Sequence, residues 1–177
     1  MDHKSIDEIY AANARVRERL KAAVAEIPDE IANARPAGEK WSVAEIVEHV
    51  AMVNAGALRI CERLLRKAAE ANGGVEVRMS DNFLQKAGEI ASMKVEAPEM
   101  VRPSGARSIR DSLEDLSALE LKYAEMRPLF ETLDGSTLTF PHPFFGDITA
   151  HEWLGLSGGH EARHIKQIEK VLSLVVK

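Results

Sequence analysis

Apolar positions along the chain recur every three to four residues over four long stretches, the period of helices that bury one face. The first runs from about Ser5 to Ile27, with Ile6, Ile9, Val16, Leu20, Val24 and Ile27 on one side and Pro28 as its stop. The second runs from about Ser42 to Asn72 and ends at Gly73-Gly74; its stripe is Ile46, Val50, Val53, Ala57, Ile60 and Leu64. The third spans Ser108 to Leu133, where Asp134-Gly135 ends it, and Pro128 inside it predicts a kink or an early stop. The fourth spans Thr149 to Val176. Each opens on Ser or Thr with an acid three residues later (Ser5/Glu8, Ser42/Glu45, Ser108/Asp111, Thr149/Glu152), the capping-box spacing that satisfies free backbone donors at a helix start.

Helices of this length are roughly 33 to 46 Å long and match one another as the members of one bundle. The expected fold is all-α: a four-helix bundle in a single domain over residues 1–177. The connection from Gly73 to Arg107 is too long for a tight turn, so it predicts a long crossover between the second and third helices, with a short helix near Asp81 to Met93. The segment from Gly135 to Ile148, with Pro141-His142-Pro143-Phe144-Phe145-Gly146, is apolar for a loop and is expected to pack over one end of the bundle.

Composition narrows the function. The net charge is −5, with no basic cluster, which disfavours nucleic acid. No stretch is apolar enough to span a membrane, and the first residues lack the apolar core of a secretory signal, so the expected location is cytoplasmic. One cysteine excludes a disulfide framework and thiolate-rich zinc sites; Cys61 reads as a small buried hydrophobe. Six histidines remain.

His160 and His164 stand four apart, on one face of the fourth helix, in the stripe Trp153, Ser157, His160, His164, Gln167, Val171. His49 lies three after Ile46 and four before Val53, on the inward edge of the second helix. Inward imidazoles need partners for their ring nitrogens, and one divalent ion would serve all three while keeping coordination positions open. Three imidazoles accept zinc, nickel, copper or iron. His151 falls half a turn round the helix from His160 and is expected to be exposed; His142 sits in the Pro-rich loop and His3 near the start of the chain. Glu45, one turn before His49, and Gln167, near His164, are candidate acceptors for imidazole N–H groups. His160 to His164 also spells HExxH, in which Glu161 would be a general base. No third ligand of the zinc-protease pattern follows, so protease is a distant alternative, and an exposed helix-surface glutamate competes with the base for Glu161.

The segments Lys40-Trp41-Ser42 through Glu48-His49-Val50, Pro141 to Gly146, Glu152-Trp153-Leu154 and His160 through Ile168 together resemble the DinB superfamily. That resemblance implies a four-helix bundle and a divalent metal, zinc or nickel, on His49, His160 and His164. It also implies a homodimer, and thiol-dependent transferase chemistry with a low-molecular-weight thiol cosubstrate. The reading is a metal-dependent transferase or hydrolase acting on a small-molecule substrate; the alternative is a non-catalytic metal-stabilised bundle or dimerisation module.

Overall fold

The computed structural model describes residues 5–70, 79–80, 83–86, 96–133 and 135–175. The four long helices are α1 (Ile6–Val24), α3 (Val43–Glu70), α4 (Ile109–Thr132) and α5 (Ala150–Val175); a short α2 (Asp29–Asn33) lies between α1 and α3. The capping residues set the starts. Ser42 and Glu45, Ser108 and Asp111, and Thr149 and Glu152 each exchange both side-chain-to-backbone hydrogen bonds, and Ser5 accepts from the Glu8 amide. α1 ends three residues before the expected Ile27, and α2 follows Pro28 directly. α4 runs through Pro128 to Thr132. Pro128 lies on the exposed face, where the hydrogen bond its missing N–H forfeits is least costly, and Phe130, fully buried, anchors the last turn.

α5 packs against α3 and α1, and α4 packs against α3 and α1. Cross-helix contacts give the directions. Tyr123 reaches Asn54, and Ser104, just before α4, meets Glu48 near the start of α3, so the neighbours α3 and α4 run parallel. Cys61 meets Ala150 while His49 meets His160, so α3 and α5 are antiparallel. Joining two parallel neighbours requires the α3–α4 connection to return along the bundle, which is the crossover expected from its length. Within it, residues 83–86 are helical, and Glu99–Val101 forms a 3-10 turn. The remainder of the short helix expected at Asp81 to Met93 lies outside the described residues, as does His3.

The apolar segment before α5 is a hairpin, β1 (Thr139–His142) and β2 (Gly146–Thr149), antiparallel with Phe140 opposite Ile148 and His142 opposite Gly146. Gly146 adopts φ +76° at the turn exit, where L side chains are strained. The hairpin does pack on an end of the bundle, through Phe145 and Ile148, both buried. The core is two apolar clusters, one built from Ile9, Leu65, Phe130 and Leu154 among others, the second from Leu20, Ile46, Leu116, Ile165 and Ile168. Among the described residues no helix is long and apolar enough to cross a membrane.

Candidate metal centre

His49, His160 and His164 meet between α3 and α5, with one ring nitrogen from each within 4.8 Å of the others. The arrangement is centred on His160, whose Nε2 lies 3.2 Å from His49 Nε2 and 3.1 Å from His164 Nε2. His49 and His164 are buried and His160 is half-buried. Trp153 and Val171 of the same stripe belong to the apolar clusters, as do Ile165 and Ile168 one residue round from it. Trp41 covers the site, its ring 4.7 Å from that of His49 and 6.4 Å from that of His164.

The outer ring nitrogens decide what the inner ones can do. His49 Nδ1–H donates to the Val101 carbonyl at 2.6 Å, and His164 Nδ1–H donates to Gln167 Oε1 at 2.8 Å. Each bond leaves a lone pair on Nε2, so lone pairs point at one another across about 3 Å, and a single proton on His160 can bridge to one neighbour only. All three imidazoles are held neutral: burial lowers His49; burial and the charges of His164 and His49 lower His160 far; burial and His49 bring His164 to about 3. A neutral, tethered, mutually repelling set of nitrogens fits a divalent cation, whose charge removes the repulsion.

Gln167 therefore stands on His164, where its spacing put it. Glu45 does not stand on His49: its carboxylate accepts from the Ser42 amide at 2.7 Å and from Arg35 at 2.5 Å, because it closes the capping box. The acceptor for His49 is the Val101 carbonyl, 52 positions away in sequence, with no signal in the local pattern. The preceding residue on α3, Glu48, accepts from the Ser104 amide and hydroxyl and the Gly105 amide, clipping the same stretch of the crossover to the helix.

Two further expectations are corrected. Glu161 is neither exposed nor turned to the imidazoles; it is 2% exposed, and both its oxygens are taken by Arg17 of α1, Nε at 2.9 Å and Nη2 at 2.5 Å. One step along a helix is 100°, so the neighbour of a histidine facing α3 faces α1 and the core. His151 is also buried, at 2%, edge-on to Phe130, with Nε2–H donating to the Phe130 carbonyl at 3.2 Å. α5 is flanked by α1 as well as α3, so two of its faces are covered. His142 sits in β1, its Nδ1 accepting from the Phe144 and Phe145 amides, its ring 5.0 Å from Trp153 and near enough to His160 for its charge to bear on that ring. Cys61 is fully buried against the Ala150 carbonyl, and burial raises its thiol pKa, consistent with a packing role.

An up-down-down-up helical bundle with three histidines from its second and last long helices on one centre defines a recognisable class. The sequence matches the DinB superfamily over residues 12–168, and the chain belongs to that family. It is 21% identical to the uncharacterized protein YuaE of Bacillus subtilis (strain 168) over 152 residues, 82% of this chain and 85% of that protein. Its fold is similar to that of TT2238, a four-helix bundle protein, with a TM-score of 0.62 and 23% identity over 93% of this chain and 98% of the other. It is also similar to YfiT from Bacillus subtilis, described as a probable metal-dependent hydrolase with an unusual four-helix bundle topology. Here the TM-score is 0.62 and the identity 22%, over 97% of this chain and 90% of that one.

Proposed function

We propose that this protein is a metal-dependent enzyme acting on a small molecule, with a divalent cation held by His49, His160 and His164. The observation that carries the reading is the convergence of three Nε2 atoms while the Nδ1 positions of His49 and His164 are tied off as donors. A cation there would supply Lewis acidity, lowering the pKa of a water or thiol brought to it, and three protein ligands leave positions open for one. The chain's own part is to keep the imidazoles neutral and aimed, through Val101 and Gln167, and to shield them under Trp41.

Hydrolysis is the reading favoured by the description of YfiT. Transfer from an exogenous thiol is the second; the protein's single thiol is buried on the Ala150 carbonyl, so that chemistry would need its thiol from a cosubstrate. Elemental analysis of protein purified without chelator is expected to show one divalent ion per chain, lost in His49→Ala and His164→Ala. Activated esters and amides, and electrophiles offered with low-molecular-weight thiols, then separate the two chemistries by whether turnover needs the thiol. Full metal occupancy with no histidine-dependent turnover on either panel would favour a metal-stabilised scaffold.

A further inference from the structure

The three imidazoles are not held alike. His49 is fixed through the Val101 carbonyl and His164 through Gln167, but Nδ1 of His160 is buried with no hydrogen-bond partner. A metal-binding imidazole is ordinarily oriented by an acceptor on its second nitrogen. His160, the ring on which the other two converge, has to take its direction from the helix that carries it.

That helix is tied down one residue further on. Arg17 gives Glu161 two side-by-side hydrogen bonds; the same guanidinium donates through Nη1 to the Leu116 carbonyl at 2.9 Å and through Nη2 to Asn54 Oδ1 at 3.4 Å. One side chain of α1 thus fastens α5, α4 and α3 at a single level. The level falls between the two apolar clusters: on α5, Leu154 of one cluster precedes Glu161 and Ile165 of the other follows. Apolar contacts tolerate small rotations of a helix, whereas a paired guanidinium–carboxylate fork fixes direction as well as distance. The tolerance needed is narrow. A side-chain atom about 5 to 6 Å from the helix axis moves about 2 Å when the helix turns by about 20°, against roughly 0.2 Å allowed in a metal–ligand distance.

We propose that the Arg17–Glu161 pair is a positioning device for the metal centre: it sets the rotation of α5 that brings His160 Nε2 to His49 and His164, and Glu161 acts as no base. The proposal rests on the metal reading above. It predicts that the pair's effect on metal binding separates from its effect on stability.

The test uses the full chain and cobalt(II) as the probe, read by visible absorption, with zinc competition for affinity and thermal melting for stability. In the double variant Arg17→Met, Glu161→Met both charges leave together and similar volume remains, an exchange that is commonly neutral or stabilising. Arg17→Lys keeps the charge and loses the fork. Both are expected to bind cobalt about 10- to 100-fold more weakly than the parent, with altered absorption bands, at temperatures where melting shows them folded. Native affinity and native bands in either folded variant would overturn the proposal. A parent protein that takes up no cobalt would instead overturn the metal reading, and the two failures are told apart by the parent alone.

Discussion

Acid should destabilise the metal-free protein well before its carboxylates titrate. An unfolded histidine has a pKa near 6.5. In the folded chain burial holds His142 at about 4, and burial with the His49 charge holds His164 at about 3; His49 and His160 are lowered as well. The unfolded chain therefore binds more protons than the folded one below pH ~6.5, so the stability these groups support is complete above that pH and is lost as pH falls toward the folded values. Between pH ~7 and ~5 each fully neutral histidine costs about 2 kcal/mol, at roughly 1.4 kcal/mol per pH unit. His142 is part-buried and contributes somewhat less, so the two together remove about 3 to 4 kcal/mol, a large share of a typical domain stability of about 5 to 15 kcal/mol. His49 and His160 add in the same direction. Urea unfolding of chelator-treated protein at constant ionic strength, followed by far-ultraviolet circular dichroism at closely spaced pH values, gives the proton uptake from the slope of stability against pH. An uptake of about two protons or more near pH 5.5 is expected. An uptake below one, or stability that is flat over the interval, would refute the claim that these rings fold neutral.

Three further outcomes follow from packing and linkage. Gly158→Ala would drive a Cβ into Asn13 Oδ1 and to 2.9 Å from its Cγ, and Asn13 is held by its bond to the Leu154 carbonyl; the expected loss is about 1 to 3 kcal/mol in urea unfolding, largely relieved by Asn13→Ala in a double-mutant cycle. Phe130→Ala empties a fully buried site edge-on to Tyr10 and His151 and should cost about 3 to 5 kcal/mol, read as a fall in melting temperature. Saturating zinc at about a hundredfold over its Kd should raise parent stability by about 3 kcal/mol and leave His49→Ala where it was; an equal shift in both would place the ion elsewhere.

The helix starts and the histidine trio were legible in the sequence because both rest on short-range spacing: three residues for a capping box, four for His160 and His164. The supporting contacts were less legible for the same reason. Val101 comes to His49 across the crossover, and nothing near either residue announces it. Glu45 shows a conflict already present in the sequence, since one carboxylate oxygen closes the box with Ser42 and the other is taken by Arg35. Glu161 reads as solvated beside the histidines and His151 as exposed half a turn round from His160, whereas α5 is covered on two faces and each finds its partner on another helix, Arg17 on α1 and Phe130 on α4. The hairpin has a weak signal, Thr137-Leu138-Thr139-Phe140 with Gly146 and Asp147-Ile148-Thr149 beyond, inside the segment that reads as an apolar loop.

The division of α5 into two adjacent stripes has a consequence for how this protein can change. His160, His164 and Gln167 are joined to one another and to His49 of α3 through neutral rings and an amide, so replacing one of these histidines leaves no buried unpaired charge. The stripe of Glu161, Ile165 and Ile168 is inside, and Glu161 is joined to a guanidinium that serves three helices at once. Removing Glu161 alone leaves a buried unpaired charge, a loss of about 3 to 5 kcal/mol. Chemistry and architecture are thus carried by neighbouring residues with opposite tolerances: loss of the metal ligands should leave a folded bundle without an ion, while loss of Glu161 should damage the bundle and the ion site together.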